Sequence, residues 1–280
     1  MIKQVTTLLV SSLVLFACGG EPDPQVPTED SGVDAAALDV AVDSPPIDFG
    51  DVAVPDAGAC TAPDFLIVLD RSASMGNTID DAGVVTKWAA AQDALKALVS
   101  APNDQGLRLG LEVFPDVQGS CSSGTVLVQP DLGHGAQIVS TLSTTKLVGG
   151  TPMGAPLTVA RTTLAGLKTA ARKQFVLLIS DGGETCASNK ALPAVQALAK
   201  DGVKTFVVGF GAGVNVTMLN NLACAGLTAP NLKTSCTQTP DGWTWNGTST
   251  SLFHQAQDGA ALKKAFGAVA STTCCSCGVN

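Results

Sequence analysis

The sequence predicts an α/β fold: a doubly wound, mostly parallel six-stranded sheet with one antiparallel edge strand and helices on both faces. Three observations carry this. The apolar runs "DFLIVLD" (64–70), "KQFVLLIS" (173–180) and "VKTFVVGFG" (203–211) are continuous, as strands buried on both faces must be. Segments with helical spacing lie between such runs, which implies crossover connections and parallel pairing. Hydrophobic residues make up 45% of the 280 residues and charged residues 14%, enough apolar surface for a large core. Aromatic residues are only 4%, so Val, Leu, Ala and Ile must fill it.

In chain order, the leader comes first. "MIKQVTTLLVSSLVLFAC" places one cation, Lys3, before an apolar run from Val5 to Ala17. That run is short for a bilayer span and reads as the apolar core of a signal peptide. Leu15-Phe16-Ala17-Cys18 resembles the lipobox of bacterial lipoproteins, in which the cysteine is acylated and becomes the new N-terminus. The resemblance implies a lipid anchor at Cys18. Gly19 in place of aspartate implies sorting to the outer membrane, facing the periplasm or the cell surface. A plain secretory signal cut nearby is the alternative.

Residues 19–58 hold ten acids and no Lys or Arg, with Pro22, Pro24, Pro27, Pro45, Pro46 and Pro55 interrupting any regular element. Like charges extend such a segment, so it reads as a disordered tether. The net charge of −8 belongs to this stretch: residues 59–280 keep 14 acids against 15 bases. No basic stripe points to nucleic acid.

The folded domain is expected over 59–280. After the strand at 64–70, "TKWAAAQDALKALVS" (86–100) has helical spacing. "LRLGLEVFP" (107–115) alternates as a strand, and "TVLVQP" (125–130) pairs with it as a hairpin. Helices are expected at 135–142, 153–168, 189–200, 216–225 and 258–271, with Pro193 tolerable only in a first turn. A last strand is expected at 251–257. The segment 226–250 is long for a connection. Trp243 and Trp245 alternate onto one face there, either of a disulfide-braced hairpin packed on the domain or of an insert that recognises a partner.

Apart from Cys18, eight cysteines remain, an even number that suggests disulfides outside the cytosol. Strand direction places Cys121 and Cys186 at one end of the sheet. Cys60 and the terminal Cys274, Cys275 and Cys277 fall at the other end, where a bridge would clamp the two termini. Bridges are expected to respect that division.

In open parallel sheets, ligands sit beyond the carboxyl ends of the strands. Asp70, Ser72 and Ser74 leave the first strand as D-x-S-x-S, and alternate spacing on an extended turn would point all three the same way. Thr151 lies on the Gly-hinged "VGGTPMG" loop before a helix. Asp181 leaves a later strand in "ISDGGE". Two carboxylates and three hydroxyls above the sheet are all hard oxygen donors. They suit Mg²⁺ or Mn²⁺, with Ca²⁺ less suited, and leave a coordination position open. Taken singly, each motif has a plainer reading as a turn former or a helix cap.

Together, "DFLIVLDRSASMG", "GGTPMGAPL" and "VLLISDGGE" resemble the von Willebrand factor type A domain with its metal-ion-dependent adhesion site (MIDAS). The resemblance spans about 64–271. It implies Ser72 and Ser74 as direct ligands, Thr151 direct or through water, and Asp70 and Asp181 often through water. It also implies a non-enzymatic adhesion module whose ion takes a carboxylate from a protein partner. Two alternatives remain at this stage. Ser74, Asp181 and His254 follow the order of an α/β-hydrolase triad, although Ser72 replaces the first glycine of G-x-S-x-G. A structural surface lipoprotein with a vestigial site is the other.

Overall fold

A computed structural model describes residues 61–79, 83–100, 106–116, 121–186, 190–211, 213–248 and 251–273, with residues 270–273 described by backbone alone. The leader with Cys18, the acidic segment 19–58, Cys60 and the three C-terminal cysteines lie outside the described residues, as does the terminal clamp expected of them.

The strands are β1 (Asp64–Asp70), β2 (Arg108–Phe114), β3 (Thr125–Asp131), β4 (Gln174–Ser180), β5 (Lys204–Phe210), β6 (Cys236–Thr239), β7 (Gly242–Trp245) and β8 (His254–Ala256). Six of them form one sheet in the order β3-β2-β1-β4-β5-β8. All neighbours run parallel except β2 and β3, the antiparallel edge pair. This is the sheet expected from the sequence.

Alternate residues of each inner strand serve opposite faces, so each strand is apolar throughout. Phe65, Ile67 and Leu69 pack on one side with Leu95 of α1 (Lys87–Val99), Ile138 of α2 (Gly135–Thr144) and Phe266 of α7 (Gly259–Thr273). Leu66 and Val68 pack on the other side with Leu157 and Leu164 of α3 (Gly154–Leu167), Leu198 of α4 (Ala191–Lys200) and Leu219 of α5 (Val216–Ala225). Local chemistry sets the helix starts. Thr86 caps α1 by accepting from the Ala89 N–H at 3.1 Å, Asn215 caps α5 through the Met218 N–H, and Pro193 sits in the first turn of α4.

The strand order reverses between β1 and β4, and the crevice above their carboxyl ends is where such folds place ligands. The opposite end is closed by a structural ion network. Asp64 is buried, accepts from Arg108 Nε at 2.9 Å and Gln174 Nε2 at 3.1 Å, and lies 3.6 Å from Arg172.

One detail differs from the expectation, and segment 226–250 takes the form of the disulfide-braced hairpin, one of the two forms expected of it. The last strand is only three residues long, because the Leu252 N–H donates to the Asn220 side chain at 2.8 Å instead of to a strand neighbour. Segment 226–250 contains a four-residue helix, α6 (Leu232–Ser235), and then the β6–β7 hairpin. A Cys224–Cys236 disulfide staples that hairpin to α5, and Trp243 and Trp245 pack half-buried against the core. The indoles therefore brace the hairpin. A second disulfide, Cys121–Cys186, joins the loop before β3 to the loop after β4, both at the crevice end.

Candidate metal centre

Asp70 is the last residue of β1 and is fully buried. Its Oδ1 accepts the Ser72 N–H at 2.8 Å, and its Oδ2 accepts the Ser180 hydroxyl at 2.6 Å from the adjoining strand β4. Both carboxylate oxygens thus anchor backbone and loop. Burial pushes the Asp70 carboxyl up to about 6; the hydrogen bonds from Ser180 and Ser72 pull the other way, and the nearby Asp181 charge adds to the rise.

The loop beyond Asp70 is not extended, as the alternate spacing had suggested. Residues Ala73–Gly76 form one 3₁₀ turn that starts after Ser72. The two serines still meet, with their Oγ atoms 3.0 Å apart. Ser74 Oγ then donates to Asp181 Oδ1 at 2.8 Å. Since the single Ser74 proton goes to Asp181, Ser72 is the donor between the serines. Each hydroxyl passes its proton onward and keeps a lone pair for a cation.

Thr151 is buried and held by its backbone. Its N–H donates to Thr185 Oγ1 at 2.9 Å, and its carbonyl accepts the Thr185 N–H at 3.2 Å. On the other flank of this loop, the Val148 N–H donates to the Arg71 carbonyl at 2.9 Å. The Thr151 loop is therefore tied both to the loop that carries Ser72 and Ser74 and to the loop that carries Asp181. Among the described residues, the Thr151 hydroxyl has no hydrogen bond of its own.

Two participants in the centre, and one buried acid with no contact to it among the described residues, were not singled out by sequence reasoning. Ser180, the last residue of β4, fixes Asp70. Lys87, the first residue of α1, pairs with Asp181 Oδ2 at 2.7 Å and is largely buried. Its signal in the sequence is a lysine at a helix start, where the dipole disfavours a cation. Glu112 of β2 is fully buried, with no partner for either oxygen among the described residues, and burial pushes its carboxyl up to about 9. No pattern marked it, since "LEVF" reads as strand.

Glu184 is less solvated than a loop acid would be: its Oε1 accepts the Gly154 N–H at the start of α3, at 3.4 Å. Gly182 and Gly183 have no left-handed backbone, and a Cβ at either would meet no crowding, so the turn does not need glycine for conformational reasons. The hydrolase triad is not assembled. Asp181 is engaged by Ser74 and Lys87, whereas the half-buried His254 ring lies against Phe206, 6.4 Å between centroids.

The donor set fits a hard divalent cation. Among the described residues, no three His, Cys, Asp or Glu side chains converge, so a cation here must draw on hydroxyls and water beside two carboxylates. A positive group already stands at Asp181 in the form of the Lys87 ammonium.

Three loops carrying oxygen donors stand above the reversal point of this doubly wound sheet. Residues 65–184 match the family model of the von Willebrand factor type A domain, a span that includes Asp70, Ser72, Ser74, Thr151 and Asp181. The fold is the type A fold. A von Willebrand factor type A structure from Catenulispora acidiphila is 18% identical with a TM-score of 0.55, covering 76% of this chain and 43% of that one. Proximal thread matrix protein 1 from the mussel byssus, with a zinc-occupied MIDAS motif, is 18% identical with a TM-score of 0.52, covering 77% and 48%. The pilus adhesin SpaC from Lactobacillus rhamnosus GG is 14% identical with a TM-score of 0.53, covering 76% and 31%. The chain spans less than half the length of each of these proteins. No curated protein matches the sequence.

Proposed function

We propose that this domain holds one divalent cation, Mg²⁺ or Mn²⁺, at Asp70, Ser72, Ser74, Thr151 and Asp181, and presents it to a carboxylate of a protein partner. The supporting observation is the hydrogen-bonded path from Asp70 through Ser72 and Ser74 to Asp181, with the Thr151 loop tied to both ends. When bound, the cation would supply a positive centre for an external anion. The protein residues orient it: Asp70 and Asp181 carry the negative charge, and the three hydroxyls complete a set with no thiolate or imidazole. The zinc in the mussel protein's MIDAS adds Zn²⁺ to the ions worth titrating.

On this reading the chain is a non-enzymatic adhesion module. Acylated Cys18 carries it on the bacterial outer membrane, facing the periplasm or the cell surface, with residues 19–58 as the spacer. The lipobox resemblance supports the anchor, and the two disulfides fit an oxidising compartment.

Calorimetric titration of the full-length chain with Mg²⁺ and Mn²⁺, beside Asp70→Ala and Asp181→Ala, tests the site. Saturable binding by the wild type and its loss in both variants is expected. Equal behaviour of all three proteins overturns it. For the anchor, Cys18→Ser is expected to release the protein from the membrane fraction.

A further inference from the structure

The Lys87–Asp181 pair has no counterpart in a simple ligand set. Lys87 is the first residue of α1, where the helix dipole disfavours a cation. It is nevertheless built in with care. Its N–H donates to the Asn77 carbonyl at 2.9 Å, and Thr78 and Thr86 form a two-residue bridge that closes the loop beneath it. The side-chain stem passes Gly211, whose φ is +90° and where a Cβ would come within 3.1 Å of Lys87 Cε. The ammonium ends on Asp181 Oδ2 at 2.7 Å, and the carboxylate it meets is fully buried. A buried carboxylate with a placed cation is a pair, not a passing surface contact.

Charge counting then gives the role. Two ionised carboxylates, Asp70 and Asp181, would neutralise a divalent ion and leave nothing to attract an acidic ligand. Lys87 restores one positive charge. Its ammonium also competes with the ion for Asp181. Lys87 also lines a pocket of about 460 Å³ with Asn77, Thr78, Gly211, Gly213 and Asp258; none of the five oxygen-donor residues lines it, so Lys87 stands between that pocket and the centre.

We infer that Lys87 is the built-in counter-cation of this centre: it holds Asp181 in place before a metal arrives, lowers the affinity for the metal, and leaves the loaded site with a net positive charge toward a carboxylate. This rests on the metal reading above. Lys87 is a positioning residue and takes no part as a ligand.

The test is Mn²⁺ calorimetry on the full-length wild type, Lys87→Met and Lys87→Arg, followed by acetate titration of the Mn²⁺-loaded proteins. Lys87→Met is expected to bind Mn²⁺ on the order of tenfold tighter, from the loss of a neighbouring like charge. It is expected to bind acetate several-fold more weakly. Lys87→Arg, which keeps the charge, stays near wild type in both. Lys87→Gln replaces Lys87→Met if the latter does not fold. Wild-type binding with Lys87→Met no tighter overturns the inference and leaves the metal site standing. So does Lys87→Arg behaving like Lys87→Met. Binding only in Lys87→Met supports it, since the ammonium then blocks the site. No binding in any protein overturns the metal reading and this inference with it.

Discussion

Ser74 Oγ donates to Asp181 Oδ1 at 2.8 Å, joining two strand-end loops 107 residues apart in sequence. This bond makes one site of two turns that are each ordinary on their own. It also places the protons so that the serine lone pairs remain for a cation.

Replacing Ser74 by Ala removes both a donor atom and the bridge between loops. The partner left behind, Asp181 Oδ1, loses its hydrogen bond in a buried setting. Mn²⁺ affinity is expected to fall roughly 10–100-fold, the range for losing a group that orients a metal site. The thermal midpoint should shift by only a few degrees, for about 1 kcal/mol. Calorimetry and a melting curve on the same preparation separate the two effects.

Asp70 gives the site its pH dependence. Its carboxyl is raised to about 6, above the ordinary 3.8, so the native state binds this proton more tightly than the unfolded chain. Without metal, the contribution to stability is fully present below about pH 4 and is lost as pH rises through about 6. Metal requires the ionised form, so its affinity runs the other way. Apparent Mn²⁺ affinity is expected to fall about tenfold per unit below pH 6. Titrations at pH 5, 6 and 7 check the affinity, and melts in EDTA of wild type against Asp70→Asn check the stability.

Glu112 makes a separate prediction. Its carboxyl is raised by burial from 4.5 to about 9, so it is neutral across the physiological range. The stability it contributes is complete below about pH 4.5 and is lost as pH rises to about 9. Glu112→Gln keeps the shape and removes the titration. The variant should gain on the wild type by about 1.4 kcal/mol for each pH unit in that window. Urea denaturation at pH 6 and pH 8 measures this, and Mn²⁺ affinity at pH 7 should be unchanged.

The fold was readable because its signal is repetitive. Apolar runs buried on both faces, such as Leu66–Leu69 and Val176–Ile179, admit few other placements. The oxygen donors were readable because the strands aim their exits at one crevice, so Asp70, Ser72, Ser74 and Asp181 needed no knowledge of side-chain packing. Lys87, Ser180 and Glu112 were not legible. Lys87 acts through a tertiary contact across 94 residues, and Ser180 through strand pairing. Glu112 differs from an ordinary strand residue only in its buried surroundings. Ala73–Gly76 misled in shape alone: two alternate serines converge in a 3₁₀ turn as well as in an extended one.

Cys121 and Cys186 close a span of 65 residues, against 12 for Cys224 and Cys236. Chain entropy alone assigns them about 4 and about 3 kcal/mol. Replacing both Cys121 and Cys186 by Ala is therefore expected to destabilise the domain more than replacing the other pair, by about 1 kcal/mol in urea titrations. Because Cys186 lies on the loop that carries Asp181 and Thr185, the same variant should also weaken Mn²⁺ binding, whereas loss of Cys224–Cys236 should not.

The central claim is that these strand-end loops hold a divalent cation. Crystals of the chain grown with Mn²⁺, examined for anomalous scattering at the manganese edge, test it most directly. The account predicts one strong peak within coordination distance of Ser72 Oγ and Ser74 Oγ, and its absence from crystals of Asp181→Ala. A wild-type crystal with Mn²⁺ in the mother liquor and no peak at these serines would contradict it.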